Sequence, residues 1–170
     1  MELDNFIKKH KTKFISILKE IEKKGILKLF NQINVVKKKK SKVMIFGNGA
    51  GASIASHFAN DLTNASRIKA MSYDNTAQIT CLSNDYQFKH WIKKTIEFYA
   101  NKNDLVILLS ASGNSQNMIN AARFCKTKKI NYFSITGFKK NNKLNKNSTN
   151  KIWINSMVYN FVEMGQLFIL

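Results

Sequence analysis

Residues 104–117 read Asp-Leu-Val-Ile-Leu-Leu-Ser-Ala-Ser-Gly-Asn-Ser-Gln-Asn, an apolar run that passes directly into hydroxyls, a glycine and amides. An unbroken apolar run such as Leu105 to Leu109 suits a strand buried on both faces, and such strands belong to parallel sheets whose crossovers are helices. A parallel strand delivers its loop to the carboxyl edge of the sheet. The next helix then begins with unpaired N–H groups and positive dipole charge, where anions settle. Ser110, Ser112 and Ser115 add three hydroxyls, Gly113 lets the backbone approach an oxygen closely, and Asn114 tolerates unusual turn dihedrals. The segment reads as a phosphate cradle that needs no lysine. An ordinary serine-rich turn with Ser115 as a helix N-cap would use the same residues, and this segment alone does not separate the two.

A second loop repeats the plan. Val43 to Phe46 reads as a strand, Gly47-Asn48-Gly49-Ala50-Gly51 as a tight turn, and Ala52 to Leu62 as a helix. This is not the dinucleotide fingerprint, because the third glycine is misplaced and no acidic residue closes a second strand at the required distance. Within the helix, His57 and Asp61 stand four apart and project from one face, a turn or more above the glycines. A histidine on a helix is more often structural, but an i, i+4 His/Asp pair beyond a glycine-rich turn is also a candidate functional pair.

Bulk properties bound the rest. With 170 residues and 44% hydrophobic content, the chain suffices for one core. It lacks any apolar run of about eighteen residues, and Met1-Glu2-Leu3-Asp4 has no signal-peptide grammar, so a cytoplasmic protein without membrane segments is expected. Cys81 and Cys125 lack metal-type spacing and are expected as reduced, packed thiols. The net charge of +18 suggests nucleic acid at first sight. Against that partner, only Arg67 and Arg123 among 28 basic residues are arginine, the residue that bidentate phosphate and base recognition favours. The run Lys37 to Lys40 reads as a solvated connector, and the positive field is compatible with steering a sugar phosphate.

Along the chain, Leu3, Phe6, Ile7, Phe14, Ile17, Leu18 and Ile21 fall on a helical period broken at Gly25, and Ile26 to Val36 predicts a second helix. Residues 1–40 therefore read as a helical hairpin that packs on the core or on a partner subunit, and residues 41–170 as the α/β domain. Later segments alternate. A short strand is expected over Lys69–Tyr73, a helical turn over Thr76–Leu82 leading into an Asn84-Asp85-Tyr86 turn, and a helix over Phe88–Ala100. Beyond the Leu105 strand come a helix over Met118–Lys126 and strands over Tyr132–Thr136 and Lys151–Ile154, while polar Lys139–Asn150 reads as irregular, with a helical turn over Lys143–Asn147 as the alternative. Strands alternating with helices and no hairpin signals predict an α/β three-layer sandwich, a central parallel sheet flanked by helices. Asn160 to Leu170 reads as an apolar helix carrying Glu163 that stops without a cap, so truncation of the last helix is expected.

The order Gly47-Asn48-Gly49, His57-Phe58-Ala59, Leu82-Ser83-Asn84-Asp85-Tyr86, Ser110-Ala111-Ser112-Gly113-Asn114-Ser115 and a final Glu-bearing helix resembles the sugar isomerase (SIS) domain family, and within it the phosphoheptose isomerases. The resemblance covers nearly the whole chain. It implies that Ser110, Ser112 and Ser115 hold a phosphate with Asn114 shaping the turn, and that Asn48, Gly49, Asp85 and Asn160 bind the rest of a sugar phosphate. It further implies His57, Asp61 and Glu163 as ligands of a Zn2+ cofactor, Asp61 as the catalytic base, and a homotetramer with sites shared between subunits. A general-acid histidine would fall eight positions after Glu163, one past Leu170. The chain departs from the family at Asp61, where glutamate is usual and which is one methylene shorter, and misplacement of a catalytic group by about 1 Å can cost about a hundredfold in rate. It also has Gly51 where serine is common and Ala111 where threonine is frequent.

The implied reaction is aldose–ketose isomerisation, sedoheptulose 7-phosphate to D-glycero-D-manno-heptose 7-phosphate, by proton transfer through an enediol. The rival readings are a catalytically impaired sugar-phosphate sensor or assembly module on the same fold, and, last, a nucleic-acid binder with steep salt dependence.

Overall fold

In the computed structural model, which describes residues 1–170, five short segments form one parallel sheet. The strands β1 (Lys42–Phe46), β2 (Lys69–Ser72), β3 (Leu105–Ser110), β4 (Asn131–Thr136) and β5 (Lys151–Trp153) lie in the order β2-β1-β3-β4-β5. Each neighbouring pair is parallel, with Val43 opposite Leu105 and Leu105 opposite Asn131. All six residues of β3 are buried, as its continuous apolar run requires.

Alternate residues of the strands enter opposite faces of the sheet. On one face Val43, Ile45, Leu105, Ile107 and Ile135 pack with Ile17 of α1 (Glu2–Glu20), Ile33 of α2 (Lys23–Lys38), Phe58 of α3 (Ala50–Asn64) and Val162 of α8 (Tyr159–Ile169). On the other face Met44, Phe46, Val106 and Leu108 pack with Leu82 of α4 (Thr76–Tyr86), Ile92 of α5 (Trp91–Tyr99) and Met118 of α6 (Gln116–Lys128). A short α7 (Lys143–Asn147) precedes β5. The result is the expected three-layer sandwich. At the opposite edge from the loops of interest, the buried Asp104 carboxylate accepts from the backbone N–H of Lys42 (3.0 Å) and Asn101 (2.7 Å) and pairs with Lys42 Nζ, tying the starts of β1 and β3 together.

Several expectations are revised. The helical hairpin breaks at Ile21 and Glu22, both extended, and not at Gly25, which sits in the first turn of α2. There a Cβ would lie 2.7 Å from Ile152 Cγ1, so Gly25 serves close helix–sheet approach. Asn84, Asp85 and Tyr86 form the last turn of α4 and not a separate turn. Lys37 and Lys38 close α2, where their charge complements the helix dipole, and only Lys39 and Lys40 form the connector. Leu3, Phe6 and Ile7 are exposed, whereas Ile17 and Ile21 are buried at the end of the first helix and Leu29, Ile33 and Val36 in the second. No helix is long and apolar enough to cross a membrane.

The two cysteines are free, but only Cys125 is packed; Cys81 is exposed. Burial pushes the Cys125 thiol up to about 12, which leaves almost no thiolate near neutrality. A chromogenic disulfide reagent is therefore expected to titrate one thiol per native chain and both after unfolding. Rapid reaction of two thiols in the native protein would contradict this packing.

Candidate functional site

From β1 the chain moves outward to β2, then returns past β1 to β3 and continues the other way. The loops after β1 and β3 therefore diverge at the carboxyl edge and leave a crevice between them, the topological switch point where open α/β sheets bind ligands. A cavity of about 300 Å³ occupies it. Asn48, Gly49 and Gly51 line it from the first loop, Ser110, Ser112 and Ser115 from the second, and Tyr159, Glu163 and Gln166 from α8.

Glycines shape both loops. A Cβ on Gly47 would lie 2.0 Å from the carbonyl carbon of Gly51, so only glycine lets the first turn fold back on itself. Gly113 has φ +63°, and a Cβ there would meet Asn142 Oδ1 at 2.0 Å. The segment leading into α7 clamps this second loop. Leu144 N–H donates to the Gly113 carbonyl (2.8 Å), and Lys143 N–H donates to Asn114 Oδ1 (3.2 Å). Buried Asn142 holds that segment by donating to Thr136 Oγ1 and the carbonyls of Gly137 and Lys139.

The hydroxyls are arranged to donate. Ser110 Oγ accepts from Gly113 N–H and Ser112 Oγ from Asn114 N–H, each at 3.2 Å, so both O–H hydrogens remain available. Ser115 is the N-cap residue of α6, and its side chain makes no capping bond; Gly49 starts α3 equally uncapped. Two helices thus begin at one cavity: the N–H groups of Gly51 and Ala52 turn back to the carbonyls of Asn48 and Gly49 and that of Met118 to Asn117 Oδ1, which leaves those of Ala50, Gln116 and Asn117 without a side-chain acceptor. No lysine or arginine lines it, despite the charge of the chain. The geometry suits an oxyanion held by hydroxyls and amides.

The structure brings Asn48, Gly49, Ser110, Ser112, Ser115 and Glu163 together and leaves the other sequence candidates outside. Asn114 is exposed, with its side chain turned to Lys143. Asn160 is exposed and absent from the lining. Asp85 is exposed on α4, where it accepts from Asn84 Nδ2 (3.1 Å). His57 Nε2 stands 3.4 Å from Asp61 Oδ2, with side chains 65% and 61% exposed. The pair lies beyond the cavity, on the face of α3 that Ala50 presents to it, since positions 50, 57 and 61 share one helical stripe.

The implied zinc set does not fit a single chain. No three His, Cys, Asp or Glu side chains converge anywhere in it, and Glu163 lines the cavity while His57 and Asp61 stand outside.

The SIS domain family pattern matches residues 6–137, a span that includes both loops and α3. The chain belongs to this family. Within it, the chain is 31% identical over 140 residues to the phosphoheptose isomerase of Cytophaga hutchinsonii, covering 79% of this chain and 68% of that one. It is 34% identical over 131 residues to the phosphoheptose isomerase of Fusobacterium nucleatum, covering 72% and 68%. The fold superimposes on the phosphoheptose isomerases of Neisseria gonorrhoeae (TM-score 0.86, 21% identity, 98% of this chain and 94% of that one) and Francisella tularensis (TM-score 0.87, 21% identity, 99% and 94%).

Three residues of this SIS site were missed by the sequence reading. Tyr159 and Gln166 flank Glu163 at i−4 and i+3, so the helical period carries all three to one face, and that spacing was the available signal. Asn117 is buried in α6 and exchanges two amide hydrogen bonds with Asn48 (3.2 and 2.9 Å), tying the two loops across the switch point. No local sequence pattern announces a pair 69 residues apart.

Proposed function

We propose that this chain is a sugar-phosphate isomerase that converts sedoheptulose 7-phosphate to D-glycero-D-manno-heptose 7-phosphate. The observation that carries the reading is the cavity at the switch point, where two helices begin without side-chain caps beside the hydroxyls of Ser110, Ser112 and Ser115. A phosphate monoester dianion matches this donor set, because its oxygens only accept hydrogen bonds and the helix termini favour negative charge. The phosphoheptose isomerase relatives give the direction of the chemistry.

With the phosphate in the cradle, a seven-carbon chain leaves the cavity along the stripe of α3 that runs from Ala50 through His57 to Asp61. At a rise of about 1.5 Å per residue, His57 stands roughly 10 Å beyond Ala50 along the helix axis. The phosphate is on the terminal carbon, so the reacting carbons lie at the far end of the sugar, toward this pair. Asp61 takes the proton from the carbon beside the carbonyl and returns it to the neighbouring carbon. His57, within 3.4 Å, holds the carboxylate's orientation. On the opposite wall Glu163 accepts from sugar hydroxyls, and Tyr159 lines the cavity beside it. The subunits of a homotetramer would close this open end.

Incubation of the purified protein with sedoheptulose 7-phosphate, with and without added zinc, tests the proposal. Formation of aldose phosphate above the level of the Asp61→Ala variant is expected. No product above that background in either condition overturns it.

A further inference from the structure

We infer that Gln166 is a fixed hydrogen-bond acceptor for a substrate hydroxyl, and so a specificity residue of the site; this rests on the sugar-phosphate reading above. Gln166 is 1% exposed, yet it lines the cavity. Its Nε2 donates to the main-chain carbonyl of Ile135 in β4 at 3.0 Å. A carbonyl oxygen can only accept, so the side-chain atom facing it must be the nitrogen, and this fixes the orientation of the amide. Oε1 accepts no hydrogen bond from the protein, and it is not among the side-chain atoms sealed from solvent without a partner. Its remaining access is to the cavity.

An oxygen held this way selects its partner. It repels a phosphate oxygen, which has no hydrogen to give, and attracts a hydroxyl. The cradle and Gln166 therefore impose opposite preferences within one cavity: anion at Ser110, Ser112 and Ser115, and a hydroxyl donor of the adjoining part of the sugar at α8. Glu163, one turn earlier on the same helix face, is likewise an acceptor when ionised, so these two side chains read donors only. The anchor at Ile135 sits opposite Leu109 in the sheet, next to the strand end that carries the cradle. The distance between anion and hydroxyl sites is thereby set by the rigid sheet and not by a loop. A substrate lacking the matching hydroxyl would leave Oε1 buried and unpaired, which is costlier than losing an exposed contact.

The test compares sedoheptulose 7-phosphate with its single-deoxy analogues in the full-length protein. In the wild type, one deoxy position is expected to lose about tenfold or more in kcat/KM. In Gln166→Met, similar in volume but without the acceptor, the penalty at that position disappears while penalties at other positions persist. An unchanged deoxy profile in Gln166→Met overturns the inference. The wild-type arm decides even if the variant does not fold, because the absence of any position with a penalty near tenfold also overturns it. A failure of the underlying reading looks different: sedoheptulose 7-phosphate would then not bind the wild type at all.

Discussion

Asp61→Asn is expected to lower kcat on sedoheptulose 7-phosphate by about 100- to 10,000-fold, the range that a positioned general base contributes. The side chain is 61% exposed on α3 and its one ionic partner is His57, so the substitution should shift stability by no more than about 0.5 kcal/mol. Affinity for the substrate should hold, because the cradle residues are untouched. The combination of lost turnover, retained binding and retained fold separates a base from a structural residue. Measuring kcat, KM and the urea midpoint on one preparation supplies all three readings. Activity within threefold of wild type would remove Asp61 from the mechanism, and a large loss in Glu163→Gln in its place would move the base inside the cavity.

Gly47→Ala is expected to be the most damaging single-methyl change in the chain. Its Cβ would lie 2.0 Å from the Gly51 carbonyl carbon, 2.1 Å from the oxygen and 2.5 Å from Ala52 N, all backbone atoms that no rotamer change can move aside. The turn must open, and α3 must shift against the sheet it covers. Overpacking of this kind typically costs about 1–3 kcal/mol, and a clash with backbone belongs at or above the upper end. The same opening displaces Asn48 and Gly49 from the cavity, so substrate affinity should fall with stability. Urea unfolding followed by circular dichroism checks this through the midpoint; a variant as stable as wild type would mean that the turn is not held closed as described.

The central strands were legible because a parallel sheet covered on both faces leaves an uninterrupted apolar signature, clearest at Leu105 to Leu109, a signature that the edge strand β2 lacks. The place of Ser110, Ser112 and Ser115 at the crevice was legible for a related reason, because the loop after such a strand emerges at the carboxyl edge of the sheet. The hairpin break was not. Ile21 and Glu22 carry no turn chemistry, and the break follows from tertiary packing that buries Ile21, whereas Gly25, the local signal, answers to Ile152 across 127 positions. Asn84 to Tyr86 reads as a turn by composition, yet the helix started by the Asn75 cap, which accepts from Gln78 N–H, runs through it. The exposure of Cys81 was equally hidden, because its apolar neighbours in sequence point elsewhere on α4. The site's long-range members, Asn117 and Gln166, are defined by partners on other elements, Asn48 and the Ile135 carbonyl, and no spacing within one segment encodes those contacts.

The cradle is tested most directly by isothermal titration of sedoheptulose 7-phosphate into wild-type protein and into the Ser110→Ala, Ser112→Ala double variant. Hydrogen bonds to a charged group contribute about 1.5–3 kcal/mol each, so loss of both hydroxyls should weaken Kd by roughly a hundredfold or more. An unchanged Kd in a folded double variant would show that the phosphate is held elsewhere.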